Sequence, residues 1–273
     1  MATPKSSFHN RSISLPSTSH PLDASIENHI RRLRVSQAGP SSSLSQNLCS
    51  VKELHEQMND LIHLQHNQQV LSNEHKRVEV EEILDGSLVT LDFSSSILDA
   101  LSQMKESIMD LKSAFRRGSN DEGIHAFLVS RKKVKKMLFK CLAILKKSEE
   151  SCSLKQREND ESIMRVLKDA EIISLATLKS LLSYMMGKKK VSQTRGWSLV
   201  NKLVKSKNLS HDSENATEVE NLDYALCKNA ESKVVMKQLE TLEIVILKLE
   251  ESLESVSRCF VKTRVSLLNV LNH

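Results

Sequence analysis

The sequence predicts an all-α protein, an elongated bundle of long amphipathic helices preceded by a disordered N-terminal arm. All four prolines lie at or before Pro40. Because a proline costs about 3 kcal/mol in a helix interior, the remaining chain can form long helices. Only 3% of residues are aromatic, which suits helix packing better than a sheet, since strands favour aromatic and β-branched residues. Apolar residues recur at heptad spacing over much of the chain after the arm, as on packed helix faces.

Residues 1–45 are predicted to form the arm, and residues 46–273 the helical bundle domain. The arm is rich in serine and poor in apolar residues, so it cannot bury enough surface to order itself. One short helix is expected to interrupt the arm, because Ile26, Ile30 and Leu33 follow the i, i+4, i+7 spacing of an apolar helix face.

Long amphipathic helices are predicted through the bundle domain. They span, in order, residues 47–71, 77–117, 124–147, 158–186 and 218–271, with a turn at 118–123. Gly86 is expected to mark a kink or a short break in the second helix, and Gly187 to cap the fourth. The last helix carries two apolar rows at heptad spacing, with Thr263 as their polar member. These rows predict packing within the bundle or a coiled coil with another chain. We favour the bundle, and with it a monomer.

Charge is distributed unevenly along the chain. Residues 105–147 hold 12 basic and 4 acidic side chains, whereas residues 212–254 hold 11 acidic and 4 basic ones. The candidate basic surface comprises Arg131, Lys132, Lys133, Lys135 and Lys136. Such a face could bind RNA or anionic lipid, but we favour pairing with the acidic last helix. No nucleic-acid partner is expected, because no repeated aromatic residues form a stacking platform nearby.

The arm contains a candidate phosphorylation site at Ser14. Arg11 stands three residues before this serine and Pro16 two residues after it. That spacing fits docking of a phosphorylated peptide to a 14-3-3 protein, in which basic side chains clamp the phosphate. The alternative interpretation is that this motif occurs by chance in a Ser/Arg/Pro-rich arm or serves in targeting.

No catalytic, metal or cofactor site is expected. His63 and His66 are at i, i+3 spacing, but no set of cysteines or carboxylates completes a tetrahedral metal site beside them. Phosphate-binding glycine loops and nucleophile motifs do not occur in the sequence. We therefore predict that the protein is not an enzyme.

The cysteines and the N-terminus bear on the compartment. Five cysteines, an odd number with no CxxC pair, favour reduced thiols in the cytoplasm or nucleus. No apolar run is long enough for a transmembrane helix. A serine-rich start without an acidic residue before Asp23 leaves a plastid or mitochondrial address possible.

Several stretches resemble a known plant family. These are FHNRSISLPS at 8–17, LDGSL at 84–88, MKES at 104–107 and TRVSLLN at 263–269. They are similar to the plant proteins catalogued as domain of unknown function 241, grouped with the Bypass-type proteins of root and shoot development. The resemblance implies a plant source, a helical domain, no known enzymatic activity and no catalytic residues. A link to root and shoot development is implied only at the level of this grouping.

Together these features predict an interaction or regulatory protein. The bundle would be a docking body, and the arm a phosphorylation-controlled tether. The alternative is a peripheral membrane- or organelle-associated factor targeted by the arm and the basic helix face.

Overall fold

A computed structural model describes residues 21–37, 44–152, 162–187 and 216–272. Within these ranges the chain forms α-helices joined by short turns, with one 3₁₀ helix at Glu74–Lys76 and no strand. The α-helices are α1 Pro21–Gln37, α2 Leu44–Ile62, α3 Gln65–Leu71, α4 Arg77–Arg117, α5 Asn120–Cys152, α6 Ser162–Met186, α7 Glu218–Cys227 and α8 Ser232–Leu271. The all-α prediction is therefore confirmed.

Helices α2, α4, α6 and α8 form the centre of the bundle. Each packs against two of the others, in the cyclic order α2, α8, α4, α6. Helix α5 lies outside this group against α4, and α7 packs on α8 and α6. Leucine, isoleucine, valine and methionine dominate the core, as the low aromatic content requires.

The short helix expected within the arm is present as α1. Its residues Ile26, Ile30 and Leu33 are all buried, and the helix packs against α2 and α6. The Arg34 guanidinium lies 2.5 Å from Asp169 of α6. Residues 21–37 thus pack with the bundle, so the boundary expected at residue 45 does not separate this helix from the domain.

Helix α4 begins and ends at the residues predicted from the sequence. It runs through Gly86 without interruption, so of the expected kink or short break, the break does not occur. The helix ends where Gly118 adopts a left-handed conformation, and α5 begins two residues later. Gly187 is also left-handed, with φ of 68°, and follows the end of α6 as predicted, because glycine adopts this conformation without strain.

Two predicted helices are each divided in the structure. The first is interrupted at residues 63–64, between α2 and α3. The last is interrupted between α7 and α8, where Asn229 adopts a left-handed φ of 48°. The Ala230 amide donates to the Ala225 carbonyl at 3.0 Å, which closes α7 in a Schellman motif. Asparagine tolerates this conformation better than most residues, which allows the chain to turn there.

Basic and acidic helices complement each other, as expected. Across α4 and α8, Lys105 lies 2.5 Å from Glu250, and Lys112 lies 2.5 Å from Glu243. The pairs run in opposite directions along the two helices, so α4 and α8 are antiparallel. Partial desolvation favours a higher pKa for Glu250. The hydrogen bonds from the Lys105 ammonium and the Ser102 hydroxyl outweigh this effect, so the pKa of Glu250 is lowered.

Candidate functional site: a polar centre within the helical bundle

A buried histidine joins three of the central helices. His55 of α2 lies 3.2 Å from the Thr263 hydroxyl of α8 through Nδ1, and 2.9 Å from the Ser174 hydroxyl of α6 through Nε2. The Phe260 ring meets the imidazole edge-on, with centroids 4.6 Å apart. These contacts hold the imidazole in one orientation between α2, α6 and α8.

The hydrogen bonds define one tautomer of His55. The Ser174 hydroxyl donates to the Ala170 carbonyl at 2.7 Å, so its oxygen accepts from Nε2–H of the histidine. The Thr263 hydroxyl then donates to the unprotonated Nδ1. Burial lowers the pKa of His55 from its usual 6.5 to about 3, so the ring is neutral at physiological pH.

A carboxyl group lies on the same side of the bundle. Glu171 of α6 extends towards α4, where its side chain packs against the Cα of Gly86. Burial raises the pKa of Glu171 to about 7, because a low-dielectric environment disfavours the charged form. Its charge therefore changes within the physiological pH range.

Both groups line one small cavity. It has a volume of about 30 Å³, which is enough for about two water molecules. Its polar lining residues are His55, Ser87, Thr90, Glu171, Ser174 and Thr263. A carboxyl group that titrates near neutral pH can exchange a proton with water here, but a cavity of this size does not accommodate a substrate.

A second polar cluster joins α5, α6 and α7. Nη1 of Arg131 donates to the Met185 carbonyl at 2.6 Å, and Nε lies 3.5 Å from the Asp223 carboxylate. Desolvation lowers the pKa of Arg131, while Asp223 opposes this shift. Nearby, the Tyr184 hydroxyl donates to Glu218 at 2.8 Å. The Met185 carbonyl belongs to the last turn of α6, where the helix dipole favours a cation.

Only some of the residues of the candidate basic surface are exposed. Arg131 is only 5% exposed and does not lie on the surface, because its side chain enters the α5–α6–α7 junction. Lys135 is half-buried and lies 3.3 Å from Asp223. Lys132, Lys133 and Lys136 are exposed on the outer side of α5. The surface expected from the sequence therefore retains three of its five members.

The other sequence candidates are not assembled into a site. Arg11, Ser14 and Pro16 lie outside the described residues. Nδ1–H of His63 donates to the nearby Asn59 carbonyl at 2.6 Å. Over the described ranges, no group of three or more histidine, cysteine or acidic side chains is arranged to hold a metal ion.

The sequence did not predict the buried polar cluster of His55, Ser174, Thr263 and Glu171, although one feature of the sequence pointed to it. Thr263 is the polar member of the apolar rows on α8, and it proves to be a partner of His55. Glu171 has no comparable signal, because its partner is the glycine of another helix. The sequence suggested a kink or a short break at Gly86, whereas this position provides space for that carboxyl group.

An apolar strip remains exposed on α8 towards its C-terminus. Val261, Val265 and Leu268 follow i, i+4, i+7 spacing and are 48%, 47% and 37% exposed. Arg264 bonds the Leu84 carbonyl and the Ser87 hydroxyl of α4. This register brings the 46%-exposed Leu88 of α4 alongside the same part of α8. We refer to these four apolar residues, Leu88, Val261, Val265 and Leu268, as the α8 strip.

The fold and its interior define an all-helical bundle protein stabilised by buried polar contacts between helices. The chain belongs to the family described as Protein BPS1, whose family model matches residues 47–270. This confirms the resemblance to Bypass-type proteins. No curated protein and no solved structure matches the chain significantly. Among the described helices, none is both long and apolar enough to cross a membrane.

Proposed function

We propose that this chain is a non-enzymatic regulatory protein of plants that acts by binding other proteins. Membership of the BPS1 family supports a regulatory role at a general level. The observation that carries the proposal is the α8 strip. An exposed apolar row at i, i+4, i+7 spacing is the pattern by which one helix packs against another. The partner that fits it is an amphipathic helix of another protein.

The charged neighbours of the strip support a specific contact. Arg264 stands within the strip and is fixed by bonds to α4, so its position does not depend on a partner. Exposed basic Arg258 and Lys262 lie on the same stretch of α8. An apolar row accompanied by basic residues favours a helix with an apolar face and acidic flanks.

Charge substitution within the strip tests this proposal. Val261→Glu with Val265→Glu should abolish capture of the partner from plant tissue, because it places two carboxylates at the centre of the contact. Val234→Glu with Ile244→Glu is the matched control on the same helix, since these residues are 45% and 68% exposed. A photoreactive side chain at position 265 should crosslink to an amphipathic helix of the captured protein.

Two results would contradict helix docking at the strip. Equal loss of capture in both double variants would show that the effect is not local. A wild-type dimer that becomes monomeric only in the strip variant, measured by light scattering, would assign the strip to self-association instead.

We further propose that the arm regulates docking through phosphorylation of Ser14. The support is the spacing of Arg11, Ser14 and Pro16 in the sequence, which fits capture of the phosphoserine by a 14-3-3 protein. Affinity capture should recover 14-3-3 proteins with the full chain and lose them with Ser14→Ala. Mass spectrometry of the same samples should find an intact arm phosphorylated at Ser14. A mature protein that lacks the arm would overturn this part of the proposal.

A further inference from the structure

The outer face of α5 interleaves lysines with exposed apolar side chains. Val129, Lys132, Lys136 and Phe139 follow 3, 4, 3 spacing and therefore share one side of the helix. Val129 is 39% exposed and Phe139 is 48% exposed. Ile144, five residues beyond Phe139, is 66% exposed. These residues span about 24 Å of helix at the usual rise per residue.

The charged side chains along this part of α5 are all basic. Residues 124–147 contain eight basic side chains and no acidic one. Two of the eight, Arg131 and Lys135, face Asp223 and are accounted for within the fold. Lys133 and Lys140 are exposed with the lysines already named. A concentrated positive surface therefore remains on the solvent side of α5.

This combination matches the chemistry of an anionic bilayer surface. Lysines attract acidic headgroups, while apolar side chains between them enter the boundary between headgroups and acyl chains. The long lysine stems can lie along apolar surface with their ammonium groups in water. A nucleic acid fits less well, because Phe139 is the one exposed aromatic residue of α5 in the described region and base stacking uses repeated aromatics.

We propose that the outer face of α5 docks onto an anionic membrane surface. This goes beyond the protein-binding role, since it uses a different face of the bundle and a different class of partner. The charge of helix α4 limits how the bundle can lie on the membrane surface. It adjoins α5 through the Ser107–Ser130 contact, and its exposed residues include Asp99, Glu106 and Asp110. Anionic headgroups repel these carboxylates, so the bundle meets the surface through α5 rather than α4.

Vesicle co-sedimentation of the purified full chain tests the proposal. The chain should bind vesicles of phosphatidylcholine mixed with phosphatidylserine, and not vesicles of phosphatidylcholine alone. A lysine near an anionic surface contributes about 1 kcal/mol, or about fivefold in partitioning. Lys132→Gln with Lys136→Gln should therefore lower partitioning about 25-fold. The matched control is Lys237→Gln with Lys248→Gln, which removes the same charge from exposed positions on α8.

The apolar side chains provide an independent test. Phe139→Ser should weaken binding at raised salt, when screened lysines contribute less, whereas Ile244→Ser on α8 should not. Thermal unfolding of each variant checks that the fold is retained. Equal binding to both vesicle types, or equal losses in the α5 and α8 variants, would overturn the proposal. Binding to a single-stranded RNA with the same dependence on Lys132 and Lys136, and none to vesicles, would overturn it in favour of a nucleic acid.

Discussion

The carboxyl group of Glu171 occupies the space where any residue larger than glycine at position 86 would place its Cβ. An ideal Cβ on Gly86 would stand 1.9 Å from Oε1 of Glu171, far inside van der Waals contact. The carboxyl group of Glu171 can therefore occupy this place between α4 and α6 only because position 86 has no side chain. The glycine costs helix stability, and it provides space for an ionisable group within the bundle.

This relationship predicts coupling between the two positions. Alanine is better than glycine inside a helix by about 1 kcal/mol, so Gly86→Ala in a Glu171→Ala background should stabilise the protein by that amount. In the wild-type background the carboxyl group must move away first, and the gain should be lost. We expect a coupling free energy of about 1 kcal/mol or more from urea unfolding of the four proteins. The same effect of Gly86→Ala in both backgrounds would contradict the contact.

Glu171 should make stability depend on pH. Its pKa is raised from the usual 4.5 to about 7 in the folded protein. The folded state therefore binds more protons than the unfolded state between these values, so stability falls as pH rises through this window. The loss should be on the order of 1–3 kcal/mol, after allowance for partial exposure.

The variant Glu171→Gln isolates this effect, because an amide does not titrate. Denaturant unfolding at pH 5 and pH 8 should show the variant gaining stability relative to wild type at the higher pH. Identical pH profiles for the two proteins would show that the carboxyl group is solvated.

The hydrogen bond from Thr263 to His55 should contribute measurably to stability. Thr263→Val removes the donor and leaves Nδ1 of a buried imidazole without a partner, at a cost of about 1–3 kcal/mol. Thr241→Val is a suitable control, because Thr241 is exposed on the same helix. The control should change the free energy of unfolding by less than about 0.5 kcal/mol. Equal effects of the two substitutions would argue against the buried bond.

Neighbouring basic residues of α5 should respond differently to substitution. Arg131→Leu leaves the Met185 carbonyl without its partner and Asp223 paired with Lys135 alone. It should destabilise the protein by about 2–4 kcal/mol. Lys132→Leu alters an exposed position and should change stability by less than about 0.5 kcal/mol. Thermal and urea unfolding of the two variants measure this difference. Similar values would mean that Arg131 is solvated like its neighbour.

The junction between α7 and α8 depends on the conformation of Asn229. Its φ of 48° is accessible to glycine without strain, whereas a residue with a Cβ pays about 1–2 kcal/mol. Asn229→Gly should therefore match or exceed wild type in stability, and Asn229→Ala should fall below Asn229→Gly by about 1 kcal/mol. If alanine is tolerated as well as glycine in denaturant unfolding, the junction is a continuous helix rather than a turn.

The ends of a helix could be predicted where neighbouring residues in the sequence mark them. The bounds of α4 follow from heptad spacing and from the turn at Gly118, and the end of α6 follows from Gly187. The division of the last helix at Asn229 was missed, because asparagine is compatible with both a helix and a turn. Apolar spacing continues across that point, so periodicity gave no warning.

The sequence by itself determined that this protein is helical and which faces of its helices are apolar, because periodicity within one helix reflects burial on one side. It also determined that basic and acidic helices would complement each other. Only the tertiary structure decided which polar groups meet inside the bundle. His55 lies 119 residues from Ser174 and 208 residues from Thr263. Arg131 is buried beside exposed Lys132, because a rotation of about 100° per residue directs one towards α6 and the other towards solvent. Such contacts depend on how separate helices pack against each other, and the spacing of residues within one helix does not predict that packing.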